Sequence, residues 1–140
     1  ISLRFFNVYG KGQSNEYAGV ITKFMEKIEL NQPLTIFGDG KNTRDFIHID
    51  DLIDGIIKSI SNIEGKKGNV YNLASGVSTS IKELADLMIS ISKKDLELNF
   101  TESRPGDLLH SSALIELAKE ELGFEPKISL KDGLSILMNE

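Results

Sequence analysis

Residues 34 to 51 constrain this chain more than any other stretch: two short apolar runs separated by a glycine turn that carries an arginine out of its far side. Leu34, Ile36 and Phe37 form a run of strand type, and Gly38-Asp39-Gly40 turns it sharply, because glycine reaches positive φ without steric cost. Arg44 follows, then Phe46-Ile47-His48-Ile49 as a second strand-like run, with Asp50 or Asp51 expected to cap a helix. A turn that delivers an arginine to the end of a buried strand can fix a planar fork of donors in a pocket, which suits an anionic ligand such as a diphosphate. The other reading is a hairpin whose Arg44 pairs with Asp39 or Asp45, since structural ion pairs recruit arginine as well. This segment leaves both open.

Composition narrows the setting. The 140 residues carry 16 basic and 21 acidic side chains, a net charge of −5, with no basic run, which argues against nucleic acid as a partner. Without cysteine there is no disulfide, thiol catalysis or thiolate metal site, and His48 and His110 are too few for a histidine-rich one, so no metal is expected. No apolar run approaches membrane-spanning length, and the chain is expected to be soluble and cytoplasmic, with no membrane partner. It begins without methionine, directly in the strand-like run Ile1 to Tyr9. A buried strand needs neighbours on both edges, so a C-terminal piece of a longer chain is expected.

Along the chain, Tyr17 to Leu30 predicts a helix with Ile21, Phe24, Met25 and Ile28 at helical spacing, stopped at Asn31-Gln32-Pro33. A second helix, Asp51 to Ser61, turns Leu52, Ile53, Ile56, Ile57 and Ile60 inward, and Asn69 to Ala74 is a short strand. Ser80 and Glu83 have the spacing of a capping box before a helix with Ile81, Leu84, Leu87, Met88 and Ile91 inward. Leu96 to Phe100 alternates as a half-buried strand, and Arg104-Pro105-Gly106-Asp107 is a turn. Ser111 or Ser112 is expected to cap a helix that ends at Gly123, and Ser129 opens a last short one.

Asn7, Arg44, Arg104 and Asp107 stand out because each sits beside a strand or tight turn whose backbone holds it still. Two arginines on separate turns could clamp two phosphates, and Phe37 could stack on a base. Against that stand ordinary core packing for Phe37 and a local Arg104–Asp107 pair. His48 reads first as a satisfied structural histidine. Equally informative, no Gly-x-Gly-x-x-Gly occurs, and no tyrosine is followed four residues later by lysine: Tyr9, Tyr17 and Tyr71 lead to Gln13, Ile21 and Ser75.

In order along the chain, Leu3 to Gly10, Glu16 to Ile21, Ile36 to Gly40, Thr43 to Phe46, Tyr71 to Leu73, Arg104 to Asp107 and Leu122 to Pro126 resemble the C-terminal half of the extended short-chain dehydrogenase/reductase family. Its NAD-dependent epimerase/dehydratase members, the UDP-glucose 4-epimerase type above all, are the nearest in motif. The resemblance implies an α/β fold: the C-terminal fragment of a Rossmann-type enzyme with a small α/β substrate-binding domain. Residues 1–10 would end the NAD-binding Rossmann domain and 11–140 would be mainly the substrate-binding domain, with about 46–74 returning to the Rossmann layer. It further implies that Phe6 lies beside the nicotinamide of NAD, a cofactor held mainly by an upstream half. Asn7 would contact a nucleotide sugar, with Val20 and Thr35 also among the substrate-binding positions. Phe37 would sit at the base, Arg44 and Arg104 on the diphosphate, and Asp107 at the ribose.

The family's catalytic tyrosine and lysine would lie upstream, leaving no catalytic residue in these 140, and the whole enzyme would be a homodimer. Phe5, Val8, Ile57 and Val70 would face the layer supplied by that upstream half. Lys11 stands where relatives often carry proline, and Leu114 where many carry aspartate. A nucleotide-sugar 4,6-dehydratase, a UDP-glucuronate decarboxylase and a non-catalytic dinucleotide-binding relative share enough of these motifs to remain alternatives.

Overall fold

In the computed structural model, which describes residues 1–13 and 19–139, the extended run at the start is shared between two neighbours. Its first half, β1 (Ser2–Phe5), pairs in parallel with β5 (Val70–Leu73); its second, β2 (Asn7–Tyr9), pairs in parallel with β4 (Thr43–His48). The expected single strand therefore breaks at Phe6, whose N–H donates to the Leu73 carbonyl at 3.3 Å as the last bond on that side. This split sets Asn7 opposite Phe46 and brings its side chain alongside β4.

β3 (Leu34–Phe37) alternates as the sequence predicts, Leu34 and Ile36 fully buried and Thr35 and Phe37 half-buried on the other face. Gly38 and Gly40 take φ of 73° and 75°. The turn does not close a hairpin, however. The edge of β3 is taken in parallel by β7 (Leu98–Thr101), and β4 is bounded by β2 and by the antiparallel β6 (Ser78–Ser80).

α1 (Val20–Glu29) starts after Gly19; the expected first residues Tyr17 and Ala18 lie outside the described residues. Ile21, Phe24 and Ile28 are buried, and Asn31, at φ 52°, ends the turn ahead of Pro33. α2 (Ile49–Ser61) is capped by His48 rather than Asp50 or Asp51: the His48 Nδ1 accepts from the Asp50 N–H at 3.2 Å. His48 is thus a satisfied structural histidine, set edge-on to the Tyr9 ring. Asp51, also buried, instead accepts from the N–H groups of Lys127 and Ile128 at 3.0 and 2.9 Å, tying down the chain ahead of α5 (Leu130–Met138).

The buried side of α2 is Asp51, Leu52, Gly55 and Ser59, because Gly55 lets the Phe124 ring approach where a Cβ would meet it at 2.9 Å. Ile53, Ile57 and Ile60, expected inward, are 47%, 57% and 67% exposed. Phe5 and Val70 are exposed as well, whereas Val8 packs on the buried cluster around Tyr71 and Phe124.

α3 (Ile81–Ser92) opens with the capping box, the Ser80 Oγ accepting from the Glu83 N–H at 3.1 Å and the Glu83 carboxylate from the Ser80 N–H at 2.8 Å. α4 (Glu116–Leu122) begins later than expected, after Ile115, and Ser111 lies along β4 instead, its N–H donating to the Thr43 carbonyl at 3.0 Å. Gly123, at φ 68°, ends it as predicted. A second core joins Tyr9, Phe24, Leu34, Ile36, Leu84 and Met88 between α1, α3 and β3.

Candidate functional site

Between α1, the outer face of β3, the start of β4 and the turn at 104–107 lies a cavity of about 730 Å³. Asn7, Val20, Thr35, Phe37, Arg44, Arg104 and Asp107 all line it. Five separate segments contribute them: the strand alternation turns Thr35 and Phe37 away from the core, the Gly38–Gly40 turn carries the chain round to Arg44, and Gly106, at φ 80°, shapes the turn holding Arg104 and Asp107.

Arg44 is the best-fixed polar group there. Its side chain is 15% exposed, and Nη2 donates to Asp107 Oδ1 at 2.6 Å while Nη1 donates to the carbonyls of Leu108 at 2.7 Å and Thr43 at 2.8 Å. The local pairings considered from sequence do not form. Asp39 pairs with Lys41 at 3.3 Å, and Asp45 is fully buried, accepting from the Ser75 N–H and Oγ at 2.8 and 2.7 Å and from the Gly76 N–H at 3.0 Å. Arg104 does not pair with Asp107 either; its guanidinium lies over the Phe37 ring, 3.7 Å from the centroid, a cation–π contact. Phe37 is therefore not core packing. Asp107 Oδ2 accepts from the Asn42 Nδ2 at 3.0 Å, and the Asn7 Nδ2 donates to the Asp45 carbonyl at 2.9 Å.

Phe6, half-buried in the break between β1 and β2, does not line this cavity. Sequence reasoning passed over Lys23, Glu26, Lys27 and Asn42, which do. The signal was present: 23, 24 and 27 fall three, four and seven residues after Val20, on one helical face. The cavity thus gathers four cations, Lys23, Lys27, Arg44 and Arg104, against two carboxylates, Glu26 and Asp107. Among the described residues no group of three or more histidine or acidic side chains could hold a metal ion.

Residues 1–74 match the model of the NAD dependent epimerase/dehydratase family. The chain belongs to that family. It is similar to UDP-glucuronic acid decarboxylase 2 of Arabidopsis thaliana, 31% identical over 98% of this chain and 30% of that protein. Among solved structures it is similar to the UDP-glucose 4-epimerase of Thermotoga maritima with UDP-glucose, at 34% identity and a TM-score of 0.89 over 98% of this chain and 44% of that one. A UDP-glucuronic acid 4-epimerase from Bacillus cereus, in complex with UDP-glucuronic acid and NAD, gives 34% identity and a TM-score of 0.90 over 98% and 43%. The fold of this epimerase/dehydratase chain is accordingly the Rossmann-type α/β fold of those enzymes, and the chain spans less than half the length of each of these relatives.

The N-terminus of α2 does not suit the pyrophosphate of NAD. A dinucleotide's pyrophosphate seeks a glycine-rich turn at a helix N-terminus, but α2, the helix that follows directly from parallel strand β4, carries Asp50 and Asp51 in its first turn, which repel phosphate.

Proposed function

We infer that this chain is the substrate-binding part of an NAD-dependent nucleotide-sugar epimerase of the UDP-glucose/UDP-galactose 4-epimerase type. The observation that carries this reading is that Arg44 and Arg104 line one cavity with Phe37 beside them, in a volume within the range of roughly 300–1,000 Å³ that small-molecule sites occupy. An excess of two cations over carboxylates suits the double charge of a sugar nucleotide's diphosphate. Arg44 and Arg104 take that diphosphate, Phe37 flanks the base, and Asp107 accepts from the ribose hydroxyls. Val20 and Thr35 form the walls, and Asn7, held from β4, faces the sugar. Phe6 sits beside the nicotinamide. NAD, when bound, supplies the oxidation and re-reduction of a sugar hydroxyl. The residues of this chain bind and orient the sugar nucleotide for that step, and the catalytic tyrosine and lysine belong to a glycine-rich half that these 140 residues do not include.

In this reading residues 1–10 and about 46–74 pack in the Rossmann layer, and most of the remainder covers the substrate. The similarity to an Arabidopsis decarboxylase supports a second reading, a UDP-glucuronate decarboxylase built on the same clamp. A non-catalytic relative that binds no sugar nucleotide would have less need of both arginines. The test titrates UDP-glucose, UDP-galactose and UDP-glucuronate separately into the purified protein by calorimetry. Binding of UDP-glucose and UDP-galactose is the expected result; binding of UDP-glucuronate with neither of the other two would replace the first reading by the second, and failure to bind any of the three would sink both.

A further inference from the structure

The geometry points to Asp107 as an internal counterion that makes the cavity select nucleoside diphosphates over bare pyrophosphate. The inference rests on the nucleotide-sugar reading above. Arg44 does not face the cavity as an unpaired cation: Asp107 holds it at 2.6 Å, and the Asp107 carboxylate is only 35% exposed. Asp107 lies on an exposed turn, yet both of its oxygens are engaged. Its second oxygen is held by Asn42 at 3.0 Å, and the segment that carries it is pinned along β4. There the Arg44 Nη1 donates to the Leu108 carbonyl at 2.7 Å, the Thr43 N–H donates to the Leu109 carbonyl at 2.9 Å, and the Ser111 N–H donates back to the Thr43 carbonyl at 3.0 Å.

An anion that approaches Arg44 therefore meets a carboxylate already tied through both of its oxygens. Bare pyrophosphate finds like charge beside its target and offers nothing in return. A nucleoside diphosphate brings ribose hydroxyls, which are donors. Each Asp107 oxygen accepts one protein hydrogen bond, and a carboxylate has about four acceptor positions in all, so two remain for those hydroxyls. The same ligand also brings a base to Phe37. The cost of the guard is thus offset only for ligands that carry the nucleoside, which is discrimination by a repulsive element as much as by an attractive one.

The test titrates UDP and inorganic pyrophosphate separately into the purified protein by calorimetry, for the parent, Asp107→Asn, Asp107→Ser and Asp107→Glu, with a thermal melt of each. The parent is expected to prefer UDP by at least about 100-fold. Removing the charge should tighten pyrophosphate about tenfold without tightening UDP in step, and Asp107→Glu should restore most of the preference; tenfold is about 1.4 kcal/mol. Using two uncharged variants keeps a folding defect in one from deciding the outcome. If the parent binds UDP but the UDP-to-pyrophosphate ratio of both uncharged variants stays within about twofold of the parent's, the guard is wrong and the nucleotide reading stands. Weaker pyrophosphate binding in those variants would likewise overturn it, by making Asp107 merely structural. A parent that fails to bind UDP removes the nucleotide reading itself.

Discussion

Replacing Arg44 by lysine keeps the charge and removes the fork, so it separates a diphosphate grip from a generic basic site. Arg44 makes three hydrogen bonds at 2.6 to 2.8 Å from two terminal nitrogens, and its side chain is 15% exposed. A lysine ammonium at the same place reaches one of these partners and cannot bridge two phosphate oxygens from a plane. A hydrogen bond to a charged group nets about 1.5–3 kcal/mol. The Asp107 side of the pair is partly solvated, which pulls its share toward the low end. The expected loss in UDP binding is therefore about 1–3 kcal/mol, or roughly 5- to 150-fold in Kd. Calorimetric titration of UDP into parent and Arg44→Lys, with melting curves to confirm the fold, measures it. Parent-like UDP affinity in the variant would refute the reasoning and leave Arg44 as a structural partner of Asp107.

Three further outcomes are expected. Tyr9 is 3% exposed with no hydrogen-bond partner for its hydroxyl among the described residues. Burial, then Asp51 and Asp132, push its ionisation above the ordinary 10.0. The fold thus favours the neutral phenol, a contribution fully present below pH 10.0 and lost as pH rises beyond it. Tyr9→Phe should hold or raise stability at pH 7, by up to about 1 kcal/mol, and flatten the alkaline limb of a denaturation series; a loss above about 1 kcal/mol would mean that the hydroxyl is satisfied. Ser80→Ala breaks the capping box and should cost about 1 kcal/mol by chemical denaturation. The Ser80 backbone and then side-chain bonds hold the Glu83 carboxyl below its ordinary 4.5, so this contribution is present above pH 4.5 and fades as pH falls below it; an acid limb identical in parent and Glu83→Gln would contradict the assignment. Ile53, Ile57 and Ile60 present one exposed face of α2, so Ile57→Lys combined with Ile60→Lys should reduce association and dye binding by the 140-residue chain. Unchanged light scattering would show that the face does not drive association.

Local rules made much of this legible. Alternation in Leu34–Phe37 fixes which ring leaves the core, and Ser80 with Glu83 announces the start of α3 through a spacing that has one geometric reason. What stayed hidden depends on partners distant in sequence. The carboxylate that holds Arg44 lies 63 residues away, so the nearby Asp39 and Asp45 appeared equally suitable. Ser78–Ser80 has little strand propensity and becomes β6 because β4 offers it an open edge. The stretch at Ser111 likewise runs along β4, its N–H donating to the Thr43 carbonyl, a partner distant in sequence. In α2 the isoleucine pattern is periodic, yet periodicity names a face without saying what covers it, and the face that packs inward is the one where Gly55 admits Phe124. Lys23 and Lys27 were readable from the register of Val20, but a charged helix face resembles any solvated one until a cavity lies against it.

A crystal structure of the protein with UDP bound would show directly whether the two arginines hold a diphosphate. The diphosphate is expected between the guanidiniums of Arg44 and Arg104, the uracil along Phe37, and a ribose hydroxyl within hydrogen-bond distance of Asp107. Density for UDP elsewhere on the molecule, or a diphosphate that touches neither arginine, would contradict it.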